Sequence, residues 1–243
     1  MVNIGTEETT DAQSTGAPVD DTPVDDTAVG DNGEIFGSGR GEAIVGVVLV
    51  GLTVAAALYF RWRPGPNFLD HWGTSLVHPA LSNTWWKHLT YLRSMPVLVG
   101  GSILAAVVVA GRDRWRALAC LVAPPLAVLL TEYVLKPEIA RRYAQVLSFP
   151  SGTTTVVGAV TMAFVIAVPG RIRPVVATIG AFLVGLECMA VVALQWHFPT
   201  DGLGGAVFGA GMVLLIDGLI HLAVSAERRR RGTTPVGDPV PAA

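Results

Sequence analysis

The sequence is short of charge, of cysteine and of any basic surplus. Charged residues make up 15% of its 243 positions, where an ordinary soluble domain carries about a quarter. The body of the chain is poorer still, because nine of the 19 acidic residues precede position 35. A net charge of -2 excludes a nucleic-acid binder that relies on a basic surface. The two cysteines, Cys120 and Cys188, both lie in apolar runs, which excludes a disulfide framework and a cysteine-rich metal site. What is present is apolar: 51% hydrophobic residues, 27 glycines and a mean hydropathy of +0.51. That composition belongs to a membrane protein and excludes a disordered chain and most soluble enzymes.

Three regions follow from the distribution. Residues 1–41 are rich in Asp, Glu, Thr, Gly and Pro and cannot bury enough apolar surface to offset the entropy of ordering, so a disordered acidic tail is expected. No basic, apolar secretory leader opens the sequence, so this tail is expected to stay where it is made. Residues 42–224 form the membrane domain, and 225–243 a basic, then Pro-containing, tail. Within the domain six runs stand near the length of about 20 residues that one helical crossing needs: Ala43–Phe60, Ser94–Gly111, Ala117–Leu135, Pro150–Gly170, Pro174–Trp196 and Gly202–Leu222. The expected fold is all-α, a polytopic bundle of six transmembrane helices. The long segment between spans one and two holds Trp72, Trp85, Trp86 and Tyr91 with His71, His78 and His88. Trp and Tyr collect at membrane–water boundaries, so short interfacial helices are expected there.

Orientation follows from the bases. With the N-terminus inside, ten of the 17 Lys and Arg fall on cytoplasmic segments, Arg228 to Arg231 foremost, and seven on outer loops. That bias places both termini in the cytoplasm. Lys136, Arg141 and Arg142 fall outside against the rule, which marks them as functional.

Three outer segments carry the chemistry. Leu135-Lys136-Pro137-Glu138-Ile139-Ala140-Arg141-Arg142 supplies cations that can neutralise phosphoryl oxygens. Ser148-Phe149-Pro150-Ser151-Gly152-Thr153 opens span four, where free N–H groups, the helix dipole and the Ser151 hydroxyl make an anion site. Trp196-His197-Phe198-Pro199-Thr200-Asp201 offers a histidine that can attack phosphorus, with a carboxylate four residues on to fix its tautomer. Glu132 shares a helix face with Lys136, either as a salt bridge that positions it or as a replacement acid. Glu187 lies deep in span five, about 15 Å from its outer end at helical rise, and an intramembrane acid is a functional hypothesis by default. Asp217 with His221, near the inner end of span six, reads as structural. Neither a metal nor another cofactor is implied.

Together these segments resemble the type 2 phosphatidic acid phosphatase family, integral membrane lipid phosphatases that share a helical core with the vanadium haloperoxidases. The resemblance covers about 42–224. In that family the first signature is Lys, six residues, then Arg-Pro; here Lys136 matches, but Tyr143 and Ala144 stand in the last two places, with Arg142 one position early. The second is Pro-Ser-Gly-His; Pro150, Ser151 and Gly152 match and Thr153 replaces the histidine. The third is Ser-Arg, five residues, His, three residues, Asp; His197 and Asp201 match while Ala190 and Val191 replace Ser and Arg. The resemblance implies that His197 is the nucleophile forming a phosphohistidine, oriented by Asp201, with Lys136, Arg142, Ser151 and Gly152 in the phosphate cradle. It also implies a lipid phosphate as substrate, in the bacterial cytoplasmic membrane, with the active site on the outer face.

Two functions compete on these residues. One is a lipid phosphatase or diphosphatase, favoured by His197 with Asp201. The other is a lipid-phosphate-binding or assembly protein that has lost turnover, favoured by Thr153 and Val191. A small transporter ranks below both, since no inverted repeat is seen.

Overall fold

The computed structural model describes residues 39–77 and 83–232. Most of the acidic tail, His78 and the Pro-containing end of the C-terminal tail lie outside them. Nine helices occur among the described residues: α1 (Arg40–Trp62), α2 (Phe68–Leu76), α3 (Asn83–Leu89), α4 (Met95–Ala110), α5 (Arg114–Leu130), α6 (Lys136–Ile139), α7 (Gly152–Ala167), α8 (Arg173–Ala193) and α9 (Pro199–Gly232). The helix starts are written in the sequence. Asn67 caps α2 in a capping box with Asp70, and the Asp113 carboxylate accepts from the Trp115 and Arg116 N–H groups at the head of α5. Pro96 and Pro174 stand second in α4 and α8, in the first turn where no N–H is needed.

The molecule is apolar on the outside. Ile44, Val48, Leu52, Ile103, Val107 and Phe182 are all exposed, as a hydrocarbon solvent requires. Its interior is filled by small side chains instead: Ala105, Ala123, Ala127, Ala159 and Ala163 with Phe208 and Val213 form the main core. Helix α9 is the axis, packed on α1, α5 and α7. Gly209 and Gly218 allow this closeness, because a Cβ on either would overlap backbone of Thr155 or Ala43.

Helices α1, α4, α5, α7, α8 and α9 run alternately between the two ends of the bundle. Gly39, Asp113, Ala167 and His221 meet at one end, and Pro64, Arg141, Ser148 and His197 at the other. Four of the six are long and apolar enough to cross a membrane, and α4 makes five when joined to the bent Thr84–Arg93 segment. Helix α7 has only 16 residues, about 24 Å at helical rise. It is buried over most of its length, so neighbouring helices rather than lipid surround it. The expected short helices between the first two spans are α2 and α3.

Two features depart from a plain helical bundle. A two-stranded antiparallel hairpin pairs Arg142–Tyr143 (β1) with Val146–Leu147 (β2), and the left-handed Ala144 (φ 51°) makes its turn. Residues Thr131–Leu135 form a π-helical turn just before Pro137. Proline clashes with the carbonyl four residues back, and a widened turn relieves that clash.

Candidate active site

The site end is assembled by hydrogen bonds between loops far apart in sequence. His197 Nδ1 lies 2.9 Å from the Ser148 carbonyl, the Ser151 N–H donates to the Asp201 carbonyl at 2.9 Å, and the Thr154 hydroxyl donates to the Gly202 carbonyl at 2.8 Å. The second and third sequence segments are thereby stitched into one unit. A carbonyl can only accept, so Nδ1 carries the proton and Nε2 of the neutral ring keeps its lone pair.

The tautomer is therefore fixed by Ser148, not by Asp201 as the sequence led us to expect. The nearer Asp201 oxygen is 3.8 Å from His197 Nδ1, beyond hydrogen-bond range. The carboxylate is drawn elsewhere: Oδ2 accepts from the Phe198 N–H at 2.9 Å and Oδ1 from Arg141 at 2.5 Å.

Arg141 is wholly buried rather than offered to a ligand. Besides Asp201 it donates to Asp70 Oδ2 at 2.6 Å, to the Thr200 hydroxyl at 2.9 Å and to the carbonyls of Pro64 and Gly65 at 3.2 Å. Its guanidinium lies 3.8 Å from the Phe60 ring and 4.5 Å from the Phe198 ring. Arg142 is exposed on β1, and its guanidinium reaches the Gln145 carbonyl at 3.4 Å.

Sequence reading passed over Asp70. It is buried at the first turn of α2, with Oδ1 accepting from the Thr200 N–H at 3.0 Å and hydroxyl at 2.6 Å, and Oδ2 from Arg141 and the Asn67 N–H. Burial alone would raise its pKa, but the Thr200, Asn67 and Arg141 hydrogen bonds outweigh it and hold the carboxyl below its ordinary value. The one signal available was Asn67 three residues before Asp70, the spacing of a capping box.

The head of α7 has the features of an anion cradle. No side chain caps it, and the buried Ser151 hydroxyl has no hydrogen-bond partner among the described residues. A Cβ on Gly152 would overlap Glu132 Oε1 and come within 3.5 Å of Lys136 Nζ. The Glu132 carboxylate thus rests on the first residue of the helix, bound to Lys136 at 2.7 and 2.9 Å. Thr153 is buried one residue further on, and Val191 is fully buried with its carbonyl accepting from the Trp196 and His197 N–H groups. Glu187, one turn before Val191, is fully buried, and neither of its carboxyl oxygens has a hydrogen-bond partner among the described residues. No group of three or more His, Cys, Asp or Glu is placed to hold a metal among those residues.

The PAP2 superfamily profile matches residues 41–223. The chain belongs to that superfamily. Among solved structures it is similar to a transmembrane PAP2-type phosphatidylglycerolphosphate phosphatase from Bacillus subtilis, with a TM-score of 0.55 and 24% identity over 72% of this chain and 94% of that one. No curated protein matches it. The chain is thus an integral membrane protein of the lipid phosphatase superfamily.

Proposed function

We propose that the protein hydrolyses a phosphate-capped lipid, with His197 Nε2 attacking the terminal phosphorus. The N–P bond forms as the P–O bond to the lipid breaks, and water then cleaves the phosphohistidine to release phosphate. The observation that carries this reading is the stitching of His197 to Ser148 and of Ser151 to Asp201, which sets an Nδ1-protonated imidazole beside an uncapped helix N-terminus. Ser151, Gly152 and Lys136 are the cradle in this reading, Thr153 and Arg142 border it, and Asp201 and Arg141 are positioning residues. An apolar groove of about 350 Å³ between α1 and α9, bounded by Phe60, Phe149, Thr200 and Gly204, supports a lipid as the substrate.

The proposed topology has six crossings, both termini in the cytoplasm and His197 at the outer face of a bacterial cytoplasmic membrane. It is supported by the meeting of Gly39 and His221 at the end opposite His197 and by the bias of bases toward that end.

The substrate class follows from the missing acid. Thr153 cannot protonate a leaving group near neutral pH, and general acid catalysis contributes about 10²–10⁴-fold. A monoester must expel a basic alkoxide, whereas a lipid diphosphate expels a phosphate, a far weaker base. Polyprenyl or other lipid diphosphates are therefore the preferred substrates. The test is phosphate release by the purified protein from lipid monophosphates and diphosphates, with His197→Ala alongside. Faster diphosphate turnover, abolished in His197→Ala, is expected; retained turnover in that variant eliminates the phosphohistidine. A second reading, a binding protein without turnover, is favoured by the Glu132 carboxylate that covers Gly152 and neutralises Lys136.

A further inference from the structure

The end of the bundle opposite His197 carries a cleft that the proposed reaction does not use. Two adjoining cavities, of about 540 and 560 Å³, lie between the start of α5 and the end of α9 and share Arg114, Trp115, Val224 and Arg228 in their walls. The first is polar, closed by Arg112, Asp113, His221 and Ser225. The second descends along Leu118, Ile220 and Ala223, side chains that continue the apolar exterior.

Most of the charge around this cleft is already committed. Asp113 caps α5 through one oxygen and accepts from His221 Nε2 at 2.8 Å through the other. Arg231 is paired with Glu227 at 2.8 Å, and Arg112 donates to the Ala167 carbonyl. Arg114 and Arg228 differ. Arg114 lies 5.0 Å from the Trp115 ring but has no carboxylate partner, and Arg228 has no hydrogen bond or ion pair among the described residues. Two guanidiniums with no carboxylate partner among the described residues thus face the same cavities from two different helices, with a tryptophan and an apolar wall beneath them.

We propose that this cleft binds the headgroup of an anionic phospholipid from the leaflet at this end, its phosphate held between Arg114 and Arg228 and its acyl chains against Leu118 and Ile220. Basic pockets between membrane helices bind such headgroups through charge near the surface, and an Arg fork matches phosphate oxygens. A lipid so held ties the first turn of α5 to the last turns of α9.

Trp115 is the reporter, since Trp62, Trp72, Trp85, Trp86 and Trp196 lie in or beside the segments at the other end. The full chain is placed in phosphatidylcholine bilayers and titrated with phosphatidylglycerol or phosphatidylcholine brominated on the acyl chains. The Trp115 signal is the quenching lost in Trp115→Phe. Half-maximal quenching is expected at a much lower mole fraction of the anionic lipid. Arg114→Gln with Arg228→Gln should raise that fraction about tenfold or more, at about 1 kcal/mol per guanidinium. Arg229→Gln with Arg230→Gln removes the same charge outside the cleft and should leave it unchanged. Equal quenching by the two lipids, or equal losses in the two double variants, overturns the site. Release of the lipid by inorganic phosphate beyond that caused by chloride at equal ionic strength overturns the lipid as its occupant.

Discussion

Arg141 and Arg116 are both buried guanidiniums that face two carboxylates, one at each end of the bundle. Arg141 uses all five of its N–H donors: on the Pro64 and Gly65 carbonyls, the Thr200 hydroxyl, and the Asp70 and Asp201 carboxylates. Its faces are covered by Phe60 and Phe198. Arg116 reaches Asp217 through Nε at 3.3 Å and Glu42 through Nη2 at 3.2 Å, and the second Asp217 oxygen makes no hydrogen bond, only an ion pair with Nη2 at 3.2 Å. The partners explain the contrast. Arg116 ties the first turns of α1 and α5 to the body of α9, where a loose bond is enough to hold helices in register. Arg141 ties a loop, α2 and the first turn of α9, where the Asp201 carbonyl in turn holds Ser151. Full satisfaction of a buried polar network is what fixes a site within a fraction of an ångström.

The largest effect that could break this contrast comes from removing each cation. Arg141→Met and Arg116→Met should each cost about 3–5 kcal/mol, because either takes the guanidinium away from two buried carboxylates. The lysine variants separate the roles. Arg141→Lys keeps the charge but loses the fork, so kcat per folded molecule should fall about tenfold or more. Arg116→Lys should lower the melting temperature while leaving kcat per folded molecule unchanged. Equal losses of kcat would erase the distinction.

The contrast also marks where the sequence was legible. Hydropathy located all the long helices, because lipid demands an uninterrupted apolar exterior that can be read residue by residue. His197, Ser151, Gly152 and Lys136 were singled out because spacing ties each to a segment, and the structure brings those segments to one end. The role of Arg141 was not legible, because its partners stand 59 to 77 residues away and burial of an arginine leaves no local pattern. Asp70 looked like one more polar residue in an aromatic-rich loop. Ser148 acts through its carbonyl, which no side-chain pattern reveals, so Asp201 took its place in the reading of the histidine.

A smaller effect sharpens the comparison by restoring groups the superfamily's signatures carry. Val191→Arg would bury a guanidinium one turn after Glu187, whose unpartnered carboxyl is placed to receive it. Thr153→His puts an imidazole in the first turn of α7, where the helix dipole disfavours its charge. The double variant should raise lipid monoester hydrolysis by about tenfold or more, toward the range that general acid catalysis supplies. Adding Glu187→Gln should destabilise it, which a thermal melt would register. A folded but inert double variant favours the binding-protein reading.

Smaller again is the effect of the carboxylate that rests on Gly152. Glu132→Gln removes the charge that neutralises Lys136, so phosphate should bind more tightly. Inhibition by inorganic phosphate should strengthen by a few-fold, about 1 kcal/mol for a partly exposed pair. The split between KM and kcat decides the role of Glu132. A lower KM with unchanged kcat fits a competitor for the cradle, whereas a fall in kcat on monoesters alone identifies it as the replacement acid.

The smallest effect is the pH response of the link between α2 and α9. Asp70 has a folded-state pKa below its ordinary value of 3.8. A group depressed in this way contributes stability that is present above the unfolded value and is lost as pH falls through the folded one. The melting temperature should therefore decline below about pH 4, and Asp70→Asn should flatten that acid limb. At neutral pH the variant should already melt lower, since an amide offers one acceptor oxygen where Asp70 uses two, and its NH₂ would face the Arg141 guanidinium or the Thr200 N–H. Melting curves of both proteins from pH 3 to 8 make the comparison. An unchanged acid limb in Asp70→Asn would assign the loss to carboxylates other than Asp70.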